Sequence, residues 1–153
     1  VRFRLKDSNN TSFLVWTTTP WTLPSNLALA VGENIDYVFV ECEGETFILA
    51  AALREAVLGD KEHTVVKTVK GNELVGMHYH RMFDCLEAEG DICRVLPADF
   101  VSTEDGTGIV HVAPAYGVDD LLEINISKYS NGIYILKFRN GYKSFSKKIV
   151  INQ

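Results

Sequence analysis

Hydrophobic and polar positions alternate along the chain in short runs, a pattern that predicts a protein built mostly of strands. Residues 12–18, SFLVWTT, are β-branched and aromatic and predict a buried strand that Pro20 ends. Residues 36–52 predict a hairpin, because two alternating apolar runs flank the turn-forming pair Glu43-Gly44. Further strand-like runs lie within residues 63–79, 91–102 and 104–120.

Two segments have helical signals. Residues 24–32, PSNLALAVG, predict a short helical turn capped by Ser25 and ended by Gly32. Residues 51–59 have apolar positions at helical spacing, with Gly59 as the C-terminal cap. Many short strands with one or two helices favour a mixed α/β fold, with a β-barrel-like or curled sheet and flanking short helices.

The last residues form a separate pattern. GIYILKF and SKKIVI are strand-forming runs on either side of Asn140-Gly141, a strong turn signal. Residues 130–153 therefore predict a C-terminal β-hairpin.

Composition fits one domain, or one domain and an appendage, since the 153 residues are 46% hydrophobic and 23% charged. The net charge of −5 is uneven. Residues 1–120 contain 9 basic and 19 acidic side chains, whereas residues 121–153 contain 6 basic and 1 acidic. The acidic body argues against strong unaided binding to nucleic acid. The charge step predicts a boundary near residue 120 between two pieces of different origin.

Cysteine and histidine spacing gives no sign of a metal site or disulfide framework. Cys42, Cys85 and Cys93 are odd in number and lack Cys-x-x-Cys spacing. HYH at 78–80 places two imidazoles on one strand face with no third ligand nearby in sequence. No apolar run approaches the length of a membrane span, so we expect no membrane partner.

The first candidate for chemistry is the threonine-rich stretch 15–26, VWTTTPWTLPSN. In a strand Thr17 and Thr19 share a face and Thr18 points away. After the turn at Pro20, Thr22 and Asn26 return toward the same cavity, which would fix a polar ligand or a water. The alternative is that threonine is simply a good strand residue whose hydroxyls cap a neighbouring turn.

The second candidate is GTGIVHVAPAYGVDD, residues 106–120. His111 lies within an apolar run, where a histidine is often a core residue with one hydrogen bond. Asp119 and Asp120 follow a proline and a glycine, and form either a loop-end pair or a site for a ligand's ammonium group.

Together FLVWTTTPWTLPSN and GTGIVHVAPAYGVDD resemble the editing domain of isoleucyl-tRNA synthetase. Thr19 stands where the related valyl and leucyl enzymes usually carry arginine. The resemblance covers residues 1–120 and implies a β-barrel flanked by helices that hydrolyses valine wrongly esterified to isoleucine tRNA. It implies no metal or cofactor, and as partners the 3′ aminoacyl end of tRNA and the remainder of a synthetase. Signatures of the synthetase ATP site are absent from the sequence, so we expect no aminoacylation.

The resemblance also implies residue roles. Thr17, Thr18 and Thr19 would line the pocket around the ester and the terminal adenosine, and His111 would limit side-chain size. Asp120 would pair with the α-ammonium group of the valyl ester. The implied catalytic residues are thus Thr17, Thr18, Thr19, His111 and Asp120, and the implied substrate-binding residues are Trp16, Thr22, Asn26 and Asp119.

The resemblance ends at Asp120, so we expect an editing domain truncated on its C-terminal side. The tail, residues 121–153, resembles the C-terminal sorting domain of proteins exported by the type IX secretion system. We expect a cytoplasmic location, with export left open by this tail. The alternative function is a non-catalytic fold remnant or a secreted β-rich module carrying a sorting tail.

Overall fold

The fold is a mixture of three small sheets and short helices. A computed structural model describes residues 1–8, 10–83 and 91–113 in full, and the backbone of residues 132–140 and 143–151. The helical elements are α1 (Arg54–Leu58) and three 3-10 helices (Pro20–Ser25, Ala51–Leu53, Gly71–Glu73). The strands are β1 (Arg2–Arg4), β2 (Thr11–Leu14), β3 (Ala28–Val31), β4 (Asp36–Cys42), β5 (Glu45–Ala50), β6 (His63–Lys70), β7 (Arg94–Pro97), β8 (Ile109–Val112), β9 (Gly132–Asn140) and β10 (Lys143–Ile151).

The larger sheet has five strands in the order β1-β2-β5-β4-β6. Strands β4 and β5 form the predicted hairpin, and its turn residues Glu43 and Gly44 have φ of 54° and 81°. Two positive φ values suit a two-residue hairpin turn, which twists in the same sense as the strands. The helix predicted over 51–59 is also confirmed, with Gly59 as its C-cap at φ 59°.

The smaller sheet, β7-β3-β8, corrects one sequence prediction. Residues 28–31 were expected to continue a helical turn from Ser25, but they form β3, the central strand of this sheet. The helical turn lies earlier, as the 3-10 helix Pro20–Ser25. Strand β3 is extended because β7 pairs with it in parallel and β8 pairs with it antiparallel, and all four of its residues are buried.

The strand predicted over 12–18 is shorter than expected. Strand β2 ends at Leu14, and Trp16 makes only an isolated parallel bridge to Val110 of β8. Two further isolated bridges, Leu5 to Tyr79 and His78 to Arg94, link β1 to β7. The predicted mixed fold of sheets and short helices is confirmed, and within the described residues the continuous ladders form open sheets rather than a closed barrel.

The main core lies between the two sheets. Fully buried side chains from the five-stranded sheet, such as Phe13 and Ile48, cluster with Leu29 and Ile109 from the three-stranded sheet. Tyr37 crosses this core: its hydroxyl accepts from the Gly32 amide at 3.0 Å and donates to the Gly108 carbonyl at 2.6 Å. Burial raises the pKa of Tyr37 to about 12, so its hydroxyl keeps the proton that it donates.

The predicted C-terminal hairpin is confirmed. Strands β9 and β10 pair antiparallel from Lys143 opposite Asn140 to Ile151 opposite Gly132. Asn140, expected in the turn, is the last residue of β9, and Gly141 lies outside the described residues.

Candidate functional site

The threonine-rich stretch folds back on itself directly after β2. Pro20 occupies the first turn of the 3-10 helix, where its missing amide leaves no hydrogen bond unmade. The amide of Thr22 donates to the Thr19 carbonyl at 3.0 Å, and the Thr22 hydroxyl donates to the same carbonyl at 2.7 Å. This tight turn carries Thr22 to the same side as Thr19.

Three of the four threonine hydroxyls come together in this turn. Thr17 Oγ1 accepts from the Thr19 amide at 3.1 Å and lies 3.4 Å from the Thr19 hydroxyl. The Thr19 hydroxyl in turn lies 3.4 Å from that of Thr22. Thr18 is exposed and stands outside this series of contacts. The local turn, rather than strand alternation, is what brings Thr17 and Thr19 together.

His111 of β8 joins the threonines from 89 residues away along the chain. Its Nε2 lies 3.0 Å from Thr22 Oγ1, and both residues are buried, at 8% and 5% exposure. Thr22 has one hydroxyl proton, which points to the Thr19 carbonyl. We therefore assign a proton to His111 Nε2, which donates it to Thr22 Oγ1 in this arrangement. We call Thr17, Thr19, Thr22 and His111 the hydroxyl cluster.

The turn before β8 holds the threonine stretch against the three-stranded sheet. Thr107 Oγ1 accepts from the Trp16 amide at 3.2 Å, and the Thr107 carbonyl accepts from the Ala50 amide at 2.9 Å. Gly106, at φ 72°, packs its backbone against the Trp16 side chain. Sequence reasoning assigned no role to Thr107. The signal was its position between two glycines, both of which adopt positive φ.

Asn26 lies behind the hydroxyl cluster rather than on an open wall. It is 0% exposed. Its Nδ2 donates to the Ala28 carbonyl at 2.9 Å, and its Oδ1 accepts from the Tyr79 hydroxyl at 2.5 Å. In this conformation Asn26 supports the turn from within the protein and presents no surface to a ligand.

The other predicted site residues are divided between the surface and the part of the chain that is not described. Trp16 is 59% exposed and Trp21 is 70% exposed. Both indoles therefore lie at the surface of residues 17–26, which we call the threonine turn. Asp119 and Asp120 lie outside the described residues. The hydroxyl cluster itself offers neutral hydroxyls and one imidazole, a set that suits a polar ligand or a water molecule.

A polar surface groove of about 710 Å³, which we call the acidic groove, lies on the five-stranded sheet. The Lys61 ammonium group donates to Glu43 Oε2 at 2.9 Å, and this contact lowers the pKa of Glu43. The side chains of that pair are more than half exposed. The residues that line the groove are Glu41, Glu43, Gly44, Gly59, Asp60, Lys61, Glu62, His63 and Thr64.

Comparison with known proteins agrees with the resemblance seen in the two motifs. The isoleucine–tRNA ligase of Clostridium tetani is 48% identical over 120 residues, and that of Clostridium novyi 52% identical over 120 residues. The corresponding ligase of Cytophaga hutchinsonii is 46% identical over 137 residues, which cover 75% of this chain. Most of this chain is related to one segment of isoleucine–tRNA ligase. The aligned residues make up 78% of the chain and 12% of each of the two clostridial ligases, so the chain spans a small part of their length.

Solved structures show which fold this ligase-like segment has. The GlLeuRS-CP1 crystal structure matches with a TM-score of 0.64 at 19% identity, covering 76% of this chain and 45% of that one. The P. falciparum cytosolic leucyl-tRNA synthetase editing domain matches with a TM-score of 0.62 at 14% identity, covering 72% and 44%. The fold is therefore that of synthetase editing domains.

The C-terminal part of the chain matches a different family. Residues 112–152 match the family described as "Secretion system C-terminal sorting domain". The predicted tail resemblance is thus confirmed, and the match begins inside the second motif, one residue after His111. None of the helices within the described ranges has the length and apolarity that crossing a bilayer requires.

Proposed function

We propose that this ligase-like segment is an editing hydrolase that removes valine wrongly esterified to isoleucine tRNA. The observation that carries the proposal is the buried contact between Thr22 and His111, which joins an imidazole to the threonine hydroxyls in a chain with the fold of synthetase editing domains. Relatedness to isoleucine–tRNA ligases supports isoleucine tRNA as the carrier. Thr19, at the position where sister enzymes carry arginine, agrees with that choice.

The need for such a site follows from the weakness of hydrophobic discrimination. A pocket shaped for isoleucine rejects valine by only about 1–3 kcal/mol, since one missing methylene loses little burial. A second, smaller pocket that admits valine and excludes isoleucine multiplies this selectivity by hydrolysing what enters. In this proposal the buried imidazole of His111 limits the size of the side chain that fits.

The geometry favours attack by water over attack by the Thr22 hydroxyl. A nucleophilic hydroxyl would have to give its proton to a neighbouring base, but Thr22 donates to the Thr19 carbonyl and accepts from His111. We therefore assign the cluster to binding and orienting. The water oxygen bonds to the ester carbonyl carbon, the bond from that carbon to the ribose oxygen breaks, and the ribose oxygen takes up a proton. Free valine and tRNA with an intact terminal hydroxyl result.

The resemblance supplies further roles for the remaining residues. Thr18, which is exposed, and Trp16 would meet the ester and the terminal adenosine at the surface of the cluster. Asp120 would bind the α-ammonium group, with Asp119 beside it. The acidic body, with 19 acidic and 9 basic side chains over residues 1–120, implies that the rest of a cytoplasmic synthetase delivers the tRNA. In this arrangement the editing domain comprises residues 1–120 and the hairpin tail residues 121–153.

The direct test is release of labelled valine from valylated isoleucine tRNA by the full chain, with isoleucylated tRNA as the control substrate. We expect hydrolysis of the valyl ester alone. Asp120→Ala should slow it about 10- to 100-fold, since a charge-assisted contact to the ammonium group is lost. Asp99→Ala, a change at an exposed aspartate, is the matched control. If the two variants hydrolyse equally fast, Asp120 is not part of the site.

A second candidate function, a non-catalytic remnant exported by means of its tail, is favoured by one observation. Residues 112–152 match a secretion sorting family, and β9 and β10 form a regular hairpin of two nine-residue strands. This candidate expects export that requires residues 130–153. Expression with and without these residues in a host with the matching secretion system, followed by fractionation, separates it from the editing hydrolase.

A further inference from the structure

The segment HYHR, residues 78–81, has no part in the proposed chemistry, yet it contacts the threonine turn at two points. Tyr79 donates to Asn26, and Arg81 Nη2 donates to the Pro24 carbonyl at 3.2 Å. We infer that Tyr79, assisted by Arg81, is a positioning residue that holds the threonine turn so that Thr22 stays within hydrogen-bond distance of His111. This inference deepens the proposed editing function and rests on it for its kinetic readout.

Tyr79 is itself held firmly. Its amide donates to the Cys93 carbonyl at 2.9 Å, and an isolated bridge joins it to Leu5. Its ring meets the Phe3 ring edge-on, with centroids 5.1 Å apart and an interplanar angle of 75°. The side chain is 0% exposed, so its hydroxyl position is set by the junction of β1 and the segment before β7.

From Tyr79 the contacts lead into the turn. The Tyr79 hydroxyl lies 2.5 Å from Asn26 Oδ1, and Asn26 Nδ2 donates to the Ala28 carbonyl at the start of β3. The Asn26 amide donates to the Leu23 carbonyl at 3.0 Å and ends the 3-10 helix. Burial raises the pKa of Tyr79, so the hydroxyl remains a donor at any working pH.

Thr22 depends on this end of the turn. It lies two residues before Pro24 in a 3-10 helix whose last residues are fixed by Asn26 and by Arg81. The other partner, His111, is fixed in β8, which pairs with β3. Loss of the Tyr79 hydroxyl would leave Asn26 Oδ1 buried without its donor and loosen the turn relative to β8. When a supporting contact is loosened, the residues of a site lose their relative positions even though all of them are still present.

Tyr79→Phe in the full chain tests the inference through two readouts. The first is hydrogen exchange of the His111 Nε2 proton, followed by NMR; we expect exchange at least about tenfold faster than in the parent protein. The second is hydrolysis of the valyl ester; we expect kcat to fall about tenfold with KM nearly unchanged, because misorientation affects the reacting complex more than binding.

Tyr37→Phe is the matched control, because Tyr37 is the other fully buried tyrosine in the described part. The hydroxyl of Tyr37 has two backbone partners, Gly32 and Gly108. Tyr37→Phe should lower the melting temperature as much as Tyr79→Phe while leaving the exchange of His111 unchanged. Equal exchange in both tyrosine variants would overturn the inference. If Tyr79→Phe does not fold, Arg81→Met is measured instead, with the same expected direction and the same overturning result.

The two readouts separate this inference from the proposed function. If the parent chain hydrolyses no ester, the editing function fails, while exchange at His111 still reports on positioning. If the parent is active and Tyr79→Phe keeps both its kcat and its exchange rate, the editing function stands and the positioning role is wrong.

Discussion

The hydroxyl cluster and the acidic groove are both sets of polar side chains, but the two sets differ in their exposure to water. In the cluster, Thr22 and His111 are buried and hydrogen-bonded to each other. In the groove, Glu43 and Lys61 are charged, more than half exposed, and paired in water. The Thr22–His111 pair is thus shielded from solvent, whereas the Glu43–Lys61 pair remains hydrated.

The difference teaches which polar contacts are able to set a geometry. A buried donor or acceptor that loses its partner costs about 1–3 kcal/mol, because water cannot replace the lost bond. A charge in the groove that loses its partner is solvated at once, so the pair fixes little. A site that must orient a small ester therefore belongs in the first environment, and two pairs of substitutions and one single substitution measure the contrast.

The largest contrast is expected from glycine. Gly108→Ala places a β-carbon in a backbone with φ of +70°, where it would overlap the side chain of Ala50. We expect a loss of about 2–4 kcal/mol in unfolding free energy, from backbone strain plus overpacking. Gly44→Ala in the groove has φ of +81° but open space around the new carbon, and should lose about 1 kcal/mol. Denaturant unfolding of both variants checks this, and equal losses would show that the contact with Ala50 relaxes freely.

The next contrast is a hydroxyl removed at constant shape. Thr22→Val deprives the His111 Nε2 proton of its acceptor and should lower the unfolding free energy by about 1–3 kcal/mol. Thr64→Val makes the same change at an exposed position lining the groove and should stay within about 0.5 kcal/mol of the parent. A similar cost at both positions, measured by urea titration, would contradict the proton assignment in the cluster.

The smallest effect is expected from charge. The hydrogen bond between Glu43 and Lys61 lowers the pKa of Glu43 and raises the pKa of Lys61. The pair therefore adds stability above the usual titration range of glutamate, and this is lost as pH falls through the folded-state pKa of Glu43. At high pH the same stability is lost as pH rises through the folded-state pKa of Lys61. Glu43→Gln should thus lower the melting temperature slightly at neutral pH and not at all in acid. A difference that persists in acid, or in 1 M salt, would mean that packing rather than charge is responsible.

Local signals in the sequence predicted the local parts of the fold. The Glu43-Gly44 hairpin and the helix ended by Gly59 needed only turn chemistry and short-range periodicity. Residues 28–31 were placed wrongly, since four small apolar residues suit a helix or a strand equally. Their pairing with residues 94–97 and 109–112 decided the matter, and no local pattern reports that pairing.

The candidate site divides in the same way. The proximity of Thr17, Thr19 and Thr22 could be expected from their spacing around Pro20. The partnership of Thr22 with His111 was reachable only through a family resemblance, because 89 residues separate them. The support from Tyr79 left no sequence pattern, and that from Thr107 left only its two flanking glycines, since both residues act through hydrogen bonds to distant segments.

The central position of β3 has a consequence for how the protein is made. A ribosome adding about 5–20 residues per second completes β8 roughly 4–16 s after it completes β3. Until β7 has been made, Ala28–Val31, which is buried along its whole length in the finished fold, has no neighbour on either side, and until β8 has been made it has a neighbour on one side at most. The threonine turn is likewise complete long before His111 exists. A growing polypeptide of this sequence thus presents an unpaired apolar strand to the chaperones around the ribosome, and acquires its candidate site only when the last strand of the three-stranded sheet arrives.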